Sequence, residues 1–234
     1  MKDITSKMSV SYENVTKWLY AGGESAMCRL HIPFESLVAD RHNCLGCNFA
    51  ESSGQILDFL AREVRDPRTE VNDVMTDLMM KLYLMIERIY VVFDIIELQD
   101  EYRFRHFGIF KNIHKWANFI KHPKAFLFVH HPRFLIENDE IFRKEDYDVV
   151  IDQEFVNRYY SGPDNNKSLL DTLKNKIRVA VLFPDPEVFV EEFCRATIKF
   201  VEMIQENRIF VEILSSRTTY ERYYSDLDKK TKEA

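Results

Sequence analysis

Residues that break regular structure are scarce here: six glycines and seven prolines in 234 residues. Tryptophan occurs twice and cysteine four times. So few breakers exclude a loop-rich fold and argue for long packed helices. The glycine loops that cradle phosphates, GxxxxGK[ST] and GxGxxG, are missing, so that mode of nucleotide binding has no support. HExxH and GxSxG are missing too, which removes the zinc-protease and nucleophile-elbow patterns. MKDITSKMSV carries no apolar run of the kind that opens a signal peptide. The longest apolar region, Leu82 to Leu98, is interrupted by Glu87, Arg88, Asp94 and Glu97 and cannot read as a membrane span. A cytoplasmic location with four reduced cysteines is the expectation.

Large apolar side chains are plentiful, with 18 Phe and 11 Tyr, and hydrophobic residues make up 46% of the chain. That is enough for one sizeable core or two small ones. The expected fold class is mainly α (α+β): a helical bundle with a long central helix and a few short strands. Three segments are expected: an irregular 1–50, a helical core over 51–123, and a mixed strand and helix part over 124–234 packed on the same core.

In the first segment Cys28 and His31, then Cys44 and Cys47, form two close pairs of ligand types. Thiolates and an imidazole at such spacing suit a tetrahedral structural zinc, with His42 competing for the place of His31. The other reading is of buried free thiols, since an unligated cysteine behaves as a small hydrophobe. Ser52 or Ser53 is the expected cap of the next helix. Thr69 is the expected cap of the longest one, about 70 to 98, with Leu78, Met85, Ile89, Val92 and Ile96 on its buried face. Apolar residues soon surround that helix, which predicts a central position.

After the short link LQDEY the next helix should return antiparallel. It carries most of the basic charge in an acidic chain, whose net charge is −6. Lys111, Lys115, Asn118 and His122 recur at helical spacing and form one stripe, widened by His114 and Lys121. Pro123 ends the helix, which leaves His122 at its C-terminus. One reading is a solvated basic face opposite a core face. The other is a site for a polyanion. Further on, AFLFVHH, YDVVID and RVAVLF read as strand candidates, the last also compatible with helix. Pro184-Asp185-Pro186 is a helix start, with Asp185 as N-cap and Pro186 at the first helical position. RIFVEILSSRTTYERYY reads as helix first, and DLDKKTKEA as a frayed charged tail.

A long apolar helix followed by a basic helix ending in NxxKHP resembles the HEPN superfamily over about residues 50 to 123. These compact helical domains occur in bacterial toxins and phage-defence proteins. Many are metal-independent ribonucleases that work as dimers, and others are non-catalytic partners. The resemblance implies His122 as general acid or base on a ribose 2′-hydroxyl, needing no metal cofactor. Lys115 stands where the family has arginine, and Asn118 matches the polar residue often found between. Lys111, His114 and Lys121 would then contact RNA. A lysine grips phosphate less well than the planar fork of arginine, so the departure weakens the catalytic expectation. The alternative is a non-catalytic helical interaction or regulatory module, stabilised by the structural zinc. Either way the expected partner is RNA, a second copy of the chain or another protein, and no membrane.

Overall fold

A computed structural model of the chain describes residue 12 and residues 45–61, 71–121, 133–137, 140–161 and 169–233. These form helices α1 (Leu45–Ala61), α2 (Val71–Ile95) and α3 (Asp100–Lys121), strands β1 (Arg133–Ile136) and β2 (Val149–Ile151), and helix α4 (Gln153–Ser161). Helix α5 (Leu169–Leu173), strand β3 (Val179–Phe183) and helices α6 (Pro186–Glu206), α7 (Arg208–Ser215) and α8 (Arg217–Glu233) follow. The protein is mainly helical with a small parallel sheet, as its composition predicts.

Helix α2 is the centre. It packs against α1, α3, β1, α7 and α8. Leu78, Leu82, Met85, Ile86, Ile89 and Phe93 are fully buried on it, leaving a narrow outer stripe. Its C-terminus is closed by a Schellman arrangement. Leu98 N–H donates to the Phe93 carbonyl at 2.8 Å and Glu97 N–H to the Asp94 carbonyl at 3.2 Å. Glu97 takes the left-handed conformation that this requires, with φ 52°. The chain turns back at once, so α3 runs antiparallel to α2: Phe93 meets Phe107, and Tyr83 meets Lys121.

Helix α3 is kinked at Phe107 (φ −131°, ψ 31°), next to Gly108. The kink lets Phe107 stack flat on Phe110, with ring centroids 5.6 Å apart. Phe93 joins this pair to Phe200 of α6 at 5.6 Å, and Phe200 reaches Phe49 of α1 at 5.4 Å. Aromatic rings thus tie four helices together. Tyr12, fully buried, stacks on Phe193 and donates to the Met85 sulfur at 3.4 Å.

The sheet has the order β1-β3-β2, all parallel, with Val181 opposite both Phe134 and Ile151. Central β3 is nearly all buried. Trp116 of α3 sits on Phe183 at 4.9 Å, which seats the sheet against the bundle. The crossover from β2 to β3 holds α4, whose N-terminus is capped by Asp152 accepting from Phe155 N–H at 2.9 Å.

Several boundaries differ from expectation. Helix α1 starts at Leu45, so Ser52 and Ser53 lie inside it and are not caps; Ser52 bonds back to the Asn48 carbonyl at 2.8 Å. The tail expected to fray continues α8 to Glu233, with Lys229 and Asp226 one turn apart at 3.6 Å. Strand β2 falls within YDVVID and β3 within RVAVLF, while AFLFVHH lies outside the described residues. Asp185 and Pro186 open α6 as expected, with Asp185 accepting from Glu187 N–H at 2.9 Å.

Candidate functional site

The two long edges of α3 carry two polar clusters of different kinds. On the edge facing α2, His114 Nε2 lies 3.1 Å from Glu87 Oε1, and His114 Nδ1 lies 3.0 Å from Asn118 Nδ2. Asn118 Nδ2 can only donate, so Nδ1 accepts and the ring proton sits on Nε2, directed at Glu87. Tyr83 and Tyr90 flank the imidazole at 5.3 and 5.8 Å. Lys121 Nζ donates to the Tyr83 hydroxyl at 3.1 Å and lies 4.5 Å from that ring's centroid. Burial holds the His114 pKa below the ordinary 6.5. Glu87 opposes this and Lys121 adds to it. The result is a neutral, tautomer-locked histidine, one third exposed.

This cluster opens into a groove of about 430 Å³ lined by Tyr90, Asp94, Arg103, Phe104, Lys111 and His114, among others. Arg103 is held by Asp94 at 2.7 Å and by the Leu98 carbonyl at 2.7 Å, so it closes the helix turn and is not offered to a ligand. Lys111 reaches over the exposed Phe104 ring at 5.4 Å. Burial pushes the Tyr90 hydroxyl up to about 12, so it stays protonated.

On the edge facing α4 the chemistry is internal. Lys115 is only 8% exposed, and its Nζ lies 2.9 Å from both Asn157 Oδ1 and Ser161 Oγ. Gln153 Nε2 also donates to Asn157 Oδ1 at 3.2 Å, and Gln153 Oε1 accepts from Trp116 Nε1 at 2.8 Å. Burial lowers the Lys115 pKa, and Lys111 lowers it further.

The expected stripe is therefore divided. Lys111, His114, Asn118 and Lys121 share the α2 side, while Lys115 faces α4 and does not join them. The step of four residues from Lys111 to Lys115 turns about 40° around the helix, and here that angle separates solvent from core. His122 lies outside the described residues, as do Cys28, His31, His42 and Cys44. Cys47 falls in the first turn of α1. Among the described residues no three His, Cys, Asp or Glu side chains gather as a metal site. Nor is any helix among them long and apolar enough to cross a membrane.

Sequence reasoning missed Glu87, Tyr83, Asn157 and Ser161. For the first two the signal was present: Tyr83, Glu87 and Tyr90 recur at helical spacing as the polar line of an apolar helix. For the last two, the Asp152 cap was the only local sign of α4. Compared with known proteins, the chain matches no family model, no curated protein and no solved structure.

Proposed function

We propose that this chain is a helical interaction module of the HEPN type that pairs with a second copy of itself through the α2–α3 face. In this reading α3 is not a ribonuclease centre. The observation that carries the proposal is the outer stripe of α2. Leu84, Glu87, Val91 and Asp94 recur every three or four residues and alternate apolar with acidic. Leu84 is 59% and Val91 39% exposed, with Arg88 exposed between them, on a helix whose other faces are largely sunk in the core. Beside it α3 presents Phe104, 68% exposed, with Lys111 and Lys121. Across a two-fold axis the acidic-apolar stripe of one copy would meet the basic-aromatic stripe of the other, as an isologous interface needs. The burial of Lys115 supports the same reading, because the cation that would stand in for the family's arginine is bonded inside the fold. The resemblance to a family in which many members act as dimers agrees with it, and a toxin or phage-defence setting rests on that resemblance alone.

Light scattering across a dilution series tests this. A dimer is expected, and Leu84→Glu with Val91→Glu should give a folded monomer, since both side chains already face solvent. A wild-type monomer at every concentration would remove the proposal.

A second reading, RNA binding, is favoured by Arg105, Lys111 and Lys121, which are exposed with no carboxylate ion-paired to them among the described residues. Neutralising about three phosphates gives a slope of log K against log salt near −2 to −3. Lys111→Ala and Lys121→Ala would each flatten it by about one. Salt-independent binding, or none, removes this reading. Cleavage that His122→Ala abolishes would instead restore the catalytic one.

A further inference from the structure

Lys115 poses a problem that the interaction face does not answer. A lysine buried to 8% exposure usually has a carboxylate beside it, yet among the described residues none pairs with it. Its two partners are neutral, Asn157 and Ser161, each at 2.9 Å. The direction of each hydrogen bond follows from Trp116. An indole N–H can only donate, so it fixes Gln153 Oε1 as acceptor and turns Gln153 Nε2 towards Asn157. Asn157 must then present Oδ1, which accepts from both Gln153 and Lys115. Lys115 Nζ donates to Ser161 Oγ as well; on losing a proton the amine would keep its bond to Asn157 and turn its lone pair to the Ser161 O–H. Desolvation, and after it Lys111, lowers the Lys115 pKa and so eases that loss.

Accessibility completes the arrangement. Ser161 is the last residue of α4 and is exposed, whereas Lys115 as a whole is buried. An approachable hydroxyl, a buried base within hydrogen-bond distance and a third group orienting that base make up the activated-nucleophile pattern.

We propose that Ser161 and Lys115 form a nucleophile–base pair for acyl transfer from carboxylic esters, an activity separate from the α2–α3 face. Ser161 Oγ attacks the ester carbonyl carbon while its proton passes to Lys115 Nζ. The bond to the leaving alkoxide breaks, and the Lys115 ammonium returns the proton, releasing an alcohol. Water then attacks the Ser161 ester as Lys115 takes its proton; the bond from the acyl carbon to Ser161 Oγ breaks, Lys115 returns the proton to Oγ, and the carboxylic acid leaves. No electron transfer is involved, and water is the one co-reactant.

A fluorophosphonate probe applied to the full chain and read by peptide mass mapping tests the proposal directly. An adduct on Ser161 is expected, and none in Ser161→Ala. Lys115→Arg keeps a long donor side chain but offers no base near neutral pH. It should label roughly a hundredfold more slowly with its melting temperature preserved. The wild-type labelling rate should also rise with pH and level off below the ordinary lysine value, a readout that needs no variant to fold. No adduct on Ser161, a flat pH profile, or a folded Lys115→Arg protein labelled at the wild-type rate would each overturn the pair. Because the dimer is scored by mass in solution and this pair by labelling, either can fail without the other.

Discussion

Lys111 and Lys115 stand one turn apart on the same helix and share almost nothing else. The first lies over an exposed phenylalanine ring, and the second is enclosed by amide and hydroxyl groups of α4. The edges they belong to differ in the same way. Towards α2, below the solvent-facing His114 cluster, α3 is held by rings: Phe107 and Phe110 stacked, Phe107 on Phe93 at 5.1 Å, and Phe93 on Phe200. Towards α4 it is held by a directional chain running from Trp116 through Gln153 and Asn157 to Lys115. Ring packing tolerates small shifts and draws most of its strength from buried area. A buried hydrogen-bond chain depends on every member, because one missing partner leaves another unsatisfied.

The largest effect should come from the ring side. Phe93 is fully buried between α2, α3 and α6, so Phe93→Ala should cost about 3 to 5 kcal/mol by urea denaturation, transfer and cavity terms together. The α4 side should come next. Lys115→Ala removes a donor from Asn157 and exposes its pocket, for about 1 to 3 kcal/mol. Lys111→Ala should stay within about 0.5 kcal/mol, as surface changes do. Equal costs for the two lysines would erase the contrast between the edges and return Lys115 to the solvated stripe.

That contrast marks the limit of what the chain reveals by itself. The long central helix was legible because its apolar residues surround it, and the α6 start because Pro184, Asp185 and Pro186 act locally. The helical spacing of Lys111, Lys115, Asn118 and His122 was legible too, but not which neighbour would cover one part of that stripe. The cover is α4, a nine-residue helix that ends at Ser161. Likewise Glu87 reads as an interruption of an apolar run, and only antiparallel packing brings it to His114. Periodicity gives a residue its direction on its own helix; partners come from tertiary contacts.

A smaller effect tests the polar cluster on the α2 side. His114 has a lowered pKa in the folded protein, so the folded state binds a proton less readily than the unfolded chain does. Above pH 6.5, the ordinary value, both states are neutral and the group costs nothing. As pH falls below that value the unfolded chain protonates first. Stability is then lost until the lowered folded pKa is reached, after which the loss stops. The wild type should therefore lose more stability than His114→Gln between about pH 7.5 and pH 5.5. Identical pH profiles would mean that the ring is as solvated as a free histidine.

The smallest effect concerns the turn that sets both edges of α3 in place. Glu97 occupies the left-handed position of the Schellman arrangement at φ 52°, where a Cβ is crowded and glycine is usual. Its carboxylate gains little in return: Arg222 is 3.8 Å away, and both side chains are largely exposed. Glycine at this position relieves the conformational cost, although it also loosens the unfolded chain. The two effects oppose each other, and for a residue with a Cβ the left-handed cost of about 1 to 2 kcal/mol is the larger. Glu97→Gly should therefore raise stability by up to about 1 kcal/mol, read as a higher urea midpoint with an unchanged slope. The turn lies at the far end of α3 from His114 and Lys115, so the pH profile and the Ser161 labelling rate should not move. A lower midpoint would show that the Glu97 side chain anchors α8 to the turn through Arg222, making that exposed ion pair worth more than its geometry suggests.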